Sequence, residues 1–157
     1  MAEVKVKNPH RSFGATVPYG NTTTLAYELK TGATGVALNS NSTAALAIGD
    51  VVDLGPLPEG MRLDDASVLV TTGMTATITG KLGFKYEDGV DSSAVPQDDA
   101  YFGTGIDLAA AGRKRATGSN LIKLPKPARL ILTTAVAANA KASDIKVLVT
   151  GELIGAQ

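Results

Sequence analysis

Alternation of apolar and polar residues dominates the chain from residue 24 onward. Leu25, Tyr27 and Leu29 alternate with polar neighbours, the period of a strand with one buried face. A second apolar run covers 46–54 and ends in the Gly- and Pro-rich turn cluster 55–60, which no helix tolerates. Residues 31–45 are a small-residue loop with room for one short strand. Segments 66–72 and 75–86 read as two strands about Gly73 and Met74, and so short a connection predicts an antiparallel hairpin. In the second segment Ala76, Ile78, Gly80, Leu82, Phe84 and Tyr86 share one face, and Gly80 and Gly83 predict a bulge or a close backbone approach. Two further strands are expected at 128–135, with Leu130 and Leu132 inward, and at 144–154, with Ile145, Val147, Val149, Gly151 and Leu153 inward.

Two stretches break the β pattern. Short helices are expected near 96–102 and 107–111, with Asp107 as a cap and Gly112 as a stop. The first 23 residues hold Pro9, Gly14, Pro18 and Gly20 with no sustained apolar period, and read as an arm. Six to eight strands with at most two short helices give a mainly β fold: an antiparallel β-sandwich or barrel-like body over 24–157, preceded by an extended N-terminal arm over 1–23.

Composition narrows the chemistry. The 157 residues include no Cys and one His, His10, so thiolate metal sites, disulfides and a two-histidine metal centre are excluded. Fifteen basic side chains balance fifteen acidic ones, which argues against nucleic-acid binding through a large phosphate footprint. No stretch approaches the ~18 apolar residues of a membrane span. The N-terminus lacks the apolar segment of a secretory signal, so the chain is expected to stay in the cytoplasm where it is made or in a particle assembled there. Much of the apolar content is Ala and Val, which bury little area each. Such a core is either sufficient for a monomer or supplemented by neighbours that bind the folded state.

Neither a nucleophile elbow, nor a phosphate-binding glycine loop, nor a His-Glu-x-x-His sequence is present. No catalytic, cofactor-binding or metal-binding residue is assigned, and the protein is not expected to be an enzyme. Asp88, Asp91, Asp98 and Asp99 read as a solvated acidic loop, since their spacing is not that of an EF-hand. Asp64 and Asp65, adjacent on a strand, point to opposite faces and do not make an acid/base pair. Charge is segregated in the second half of the chain. Residues 87–107 carry six acids and no base, and Arg113, Lys114, Arg115, Lys123, Lys126 and Arg129 follow with no acid between 113 and 129. These blocks can pair within one subunit or between neighbours in a ring.

Several stretches also carry a family resemblance. The run LAIGDVVDLGPLPEG at 46–60 resembles a strand–Gly–Leu-Pro-x-Gly–strand element of small structural proteins of tailed bacteriophages. GFKYEDGVD at 83–91, PQDDAYF at 96–102, GIDLAAAGR at 105–113 and PKPARLILTT at 125–134 are similar to the same group in order and spacing. The resemblance spans about residues 46–154 and points most closely to head decoration (cement) proteins. It implies a β-rich body on the outer face of the capsid, a homotrimer where major capsid subunits meet, and an arm gripping the shell. On that reading Lys5, Lys7, Arg11 and Tyr19 contact the capsid, the strand edge at 24–29 lies near the base, and Asp98, Asp99, Arg113, Lys114 and Arg115 lie between subunits. Other virion roles (tail tube, head–tail connector, spike) share the composition. A carbohydrate-binding β-sandwich would want exposed aromatics, and this chain has seven aromatic residues and no Trp. A metal-dependent enzyme would have to use the acidic loop.

Overall fold

The computed structural model describes residues 1–7, 22–116 and 120–153. Ten strands and no helix are found among these residues. They are β1 (Glu3–Lys5), β2 (Thr22–Thr31), β3 (Val51–Leu57), β4 (Met61–Thr72), β5 (Thr79–Tyr86), β6 (Asp98–Asp107), β7 (Gly112–Ala116), β8 (Ile122–Lys123), β9 (Ala128–Ala135) and β10 (Ser143–Leu153). One sheet has the order β1-β3-β9-β5-β6. The other has the order β2-β10-β4-β7, with β8 continuing along β4 beside β7. Every pairing is antiparallel except β1 with β3. The two sheets pack face to face as a sandwich, not a closed barrel.

A central strand of each sheet supplies much of the core. In β10, Ile145, Val147, Val149, Gly151 and Leu153 are buried and the residues between them are not. In β9, Leu130 and Leu132 are fully buried. Tyr27 and Leu29 of β2 meet this layer, whereas Leu25 is half-buried. Phe84, Tyr86, Tyr101 and Phe102 supply the bulk that Ala and Val lack. They stack edge to face, with centroids 5.8 Å apart for Phe84–Tyr86, 5.7 Å for Phe84–Tyr101 and 4.8 Å for Tyr101–Phe102.

Three local expectations are corrected. β4 and β5 do not form a hairpin, because they lie in different sheets. Gly73 and Met74 begin a crossover in which Met74 and Ile78 are both fully buried. A Cβ at Gly73 would overlap the backbone of Ala109, so only glycine lets the crossover pass. Alternation within each strand is the same for a hairpin as for a sheet-to-sheet crossover, so the pattern could not tell them apart. The expected helix at 96–102 is instead the entry into β6, where Tyr101 and Phe102 are buried side by side at an irregular register against β5. The expected helix at 107–111 is a turn. Asp107 does cap it, its Oδ1 accepting from the N–H groups of Ala109 (2.8 Å) and Ala110 (3.2 Å). Leu108 gives its N–H to Ile78 (3.1 Å) and its carbonyl to the N–H of Met74 (2.9 Å), which leaves no helical ladder to form.

The anticipated close approach at Gly83 is real: a Cβ there would run into the backbone of Asp98 and Asp99. Residues 46–50, the start of the second apolar run, are a turn organised by the buried carboxylate of Asp50. Its two oxygens accept from the N–H groups of Ala2 and Ala47, each at 2.8 Å. Residues 3–6, at the start of the expected arm, are built into the body, with Val4 and Val6 buried and β1 paired to β3. Arg11 and Tyr19 lie outside the described residues, as does His10.

Candidate interaction surfaces

On the outer face of the first sheet, β1, β3, β9 and β5 bring Glu3, Lys5, Asp53, Arg129 and Lys85 around an open cleft of about 610 Å³. Outward positions of adjacent strands fall side by side, so charges far apart in sequence meet as cross-strand pairs. Glu3 bridges Lys85 at 2.8 Å and Lys5 at 3.5 Å. The hydrogen bond from Lys85 holds the Glu3 carboxyl below its ordinary range. Arg129 sends its Nε to both oxygens of Asp53 at 3.0 Å, and its guanidinium lies 3.9 Å from Glu87. Asp53 is almost wholly buried, and nothing in its local sequence context announced a buried ion pair. Lys126 pairs with Asp88 at 2.7 Å, which lowers that carboxyl, and sits 4.6 Å over the Tyr86 ring.

The charge blocks therefore meet in part within one subunit, through Lys126–Asp88 and Arg129–Glu87. The five residues expected between subunits have other partners here. Asp99 lies 3.5 Å from Lys81, and the Asp98 carboxylate accepts from the N–H of Ala100 at 2.8 Å. Arg115 pairs with Asp65 at 2.9 Å, Arg113 reaches the Ser67 hydroxyl at 3.3 Å, and Lys114 donates to the carbonyl of Ala110. Asp98 and Asp99 lie on β6, the edge of one sheet, and Arg113, Lys114 and Arg115 on β7, the adjoining edge of the other. Arg115 stays 77% exposed in spite of its pair with Asp65. Asp91, in the acidic loop, accepts from the N–H groups of Ser92 (2.8 Å) and Gln97 (2.7 Å). Among the described residues no three His, Asp or Glu side chains converge as a metal site. Among the described residues no helix is long and apolar enough to cross a membrane.

Lys5 and Lys7 lie at the β1 edge. The N–H of Lys7 donates to Asn39 at 2.7 Å, and the N–H of Lys5 to the Asn41 side chain at 2.8 Å. On the neighbouring edge, the carbonyl of Lys30 accepts from the N–H of Leu38 (2.8 Å) and so points away from β10. By alternation the backbones of Thr22, Thr24, Ala26 and Glu28 point the same way, and among the described residues no strand pairs there. Tyr27, Phe84, Tyr86, Tyr101 and Phe102 are all buried, so no described aromatic ring is displayed for stacking on a sugar.

No family model and no curated protein matches the sequence. Solved structures do match the fold. A chain of the Ralstonia phage GP4 capsid superposes with a TM-score of 0.68 at 20% identity, over 99% of this chain and all of that one. The chain has the fold of a phage capsid component. A chain of the cyanophage Pam1 capsid asymmetric unit matches with a TM-score of 0.58 at 16% identity, over 88% of this chain and 89% of that one.

Proposed function

We propose that this chain is a structural virion protein, a decoration or cement protein that binds the outer surface of an assembled capsid and stabilises it without catalysis. The observation that carries the reading is the whole-chain match, in fold and in length, to a protein found in a phage capsid. The sequence resemblance to head decoration proteins supports it independently of the superposition. The mechanism is linkage: a protein that binds only the assembled shell stabilises that state by its binding free energy, summed over many copies.

In this reading Lys5, Lys7, Arg11 and Tyr19 contact the major capsid protein. Asp98, Asp99, Arg113, Lys114 and Arg115 face neighbouring copies in a homotrimer, where exposed charges fix orientation more than affinity. The protein is made in the bacterial cytoplasm and ends on the virion surface, and needs no cofactor, nucleic acid or membrane.

Quantitative mass spectrometry of purified particles tests the assignment. A copy number near that of the major capsid protein is expected, whereas a handful of copies per particle would assign the chain to the tail, connector or a spike. Because Val4 and Val6 are buried, the first residues cannot be deleted without opening the sheet. Charge reversal at Lys7 and Arg11, which spares the Lys5–Glu3 pair, is the cleaner variant. It should weaken shell binding about tenfold or more and leave the melting temperature of the free protein unchanged; full binding would remove these residues from the contact.

A further inference from the structure

Among the described residues two carboxylates are buried, Asp50 and Asp53. Asp53 has Arg129 as its counterion, whereas Asp50 pairs with no Lys, Arg or His of the described residues. Its carboxylate is nevertheless held on a rigid frame. Oδ2 accepts the Ala47 N–H at 2.8 Å. The Asp50 carbonyl takes the Thr134 N–H at 3.0 Å, and the Gly49 N–H donates to the Thr134 carbonyl at 2.8 Å, so the turn 46–50 is fastened to β9. An anion taken out of water with only neutral donors around it is short of compensation.

The other carboxylate oxygen shows where the missing charge belongs. Oδ1 accepts the backbone N–H of Ala2 at 2.8 Å. Ala2 is pinned from its far side, because its carbonyl accepts the Val51 N–H at 3.0 Å, β1 pairs with β3, and Val4 is buried. Met1 precedes β1 and is 99% exposed. Loss of Met1 therefore removes no packing, and it turns the same nitrogen from an amide into an α-ammonium without moving it. The hydrogen bond to Oδ1 becomes charge-assisted, and the remaining ammonium hydrogens meet water because Ala2 is exposed. A carboxylate at this distance keeps an α-amino group protonated at neutral pH.

We propose that the Met1–Ala2 peptide bond is a processing site, and that the mature amino terminus is the Ala2 ammonium paired with Asp50. The step is hydrolysis: the C–N bond breaks, the oxygen of water joins the methionine carbonyl carbon, and both its protons end on the Ala2 nitrogen. The small side chain of Ala2 suits an aminopeptidase that removes methionine only ahead of a small residue. Hydrolysis of this bond yields the same ammonium whatever precedes Met1. The resulting pair joins the start of β1 to the turn ahead of β3, and through Thr134 to β9. It acts where the sheet most needs a clasp, since β1 is three residues long and lies at the edge.

The test compares the chain released from a cleavable fusion with Ala2 first and with Met1 first, each as wild type and as Asp50→Asn. The form beginning at Ala2 should melt about 3 °C or more above the form beginning at Met1. In Asp50→Asn that gap should close; a gap that persists there would overturn the pairing. Should Asp50→Asn fail to fold, acylation at about pH 7 reads the pair directly. The α-amino group of the form beginning at Ala2 should react about tenfold more slowly than that of the form beginning at Met1, as followed by peptide mass spectrometry. Equal melting and equal acylation of the two forms would overturn the ion pair. Intact mass of the protein isolated from the cells that make it should be that of a chain beginning at Ala2, and retention of Met1 would overturn the processing site.

Discussion

Val136 shows how much one residue can say. Its neighbours Ala135 and Ala137 are unremarkable, yet it holds φ 75° with its side chain mostly in water, so no packing energy of its own offsets the strain. Replacing it with glycine removes the Cβ conflict but adds freedom to the unfolded chain. We expect the relief to win, raising stability by about 1 kcal/mol. Thermal unfolding of Val136→Gly would show this as an upward shift of the melting temperature, and a fall would mean that the side chain packs usefully after all.

At the scale of elements, the first sheet is held across its outer face by the Asp53–Arg129 pair, which joins β3 to β9 where the register between them shifts at Asp53 and Gly55. Asp53 is 2% exposed. Removing its partner leaves a buried carboxylate without compensation, a loss of about 3 kcal/mol. Urea unfolding of Arg129→Ala should show that loss, and Asp53→Asn in the same background should recover part of it. The edges follow a different logic. β1 is only three residues long, and Asn39 and Asn41 cover its outer side, a common way to blunt an edge. The free stretch of β2 has no such cover among the described residues.

Across the whole molecule, ion pairs and backbone caps on carboxylates shape the acid response. Three carboxyls are held below their ordinary values: Glu3 by Lys85, Asp88 by Lys126, and Asp107 by the N–H groups of Ala109 and Ala110. Each is more acidic folded than unfolded, so each contributes stability above its ordinary value of 4.5 for Glu3 and 3.8 for the aspartates, lost as pH falls through the lowered folded values. Unfolding midpoints in urea should be level from neutral pH to about pH 5 and decline below that. Glu3→Gln should flatten the upper part of the decline. An unchanged slope would mean that the Glu3–Lys85 pair adds nothing.

The sequence by itself determined the class of fold and most of its parts. Period-two alternation at 128–135 and 144–154 located the two central strands to within a residue, because a strand flanked on both sides and covered on one face leaves its alternation little freedom. Gly83 announced its close contact, and Asp107 its cap. The absence of Cys and the single His excluded whole chemistries without any coordinates. Tertiary structure decided what depends on partners distant in the chain. It sent β4 and β5 to different sheets, buried Asp53 against Arg129 across 76 positions, and turned two expected helices into a strand entry and a turn. It also gathered segments 32–50, 73–78, 108–111 and 136–142 at one end, a feature that no window of sequence displays. Alternation records which face of a strand is buried; which strand lies beside it, and which loops share an end, are set by how two sheets close over one core.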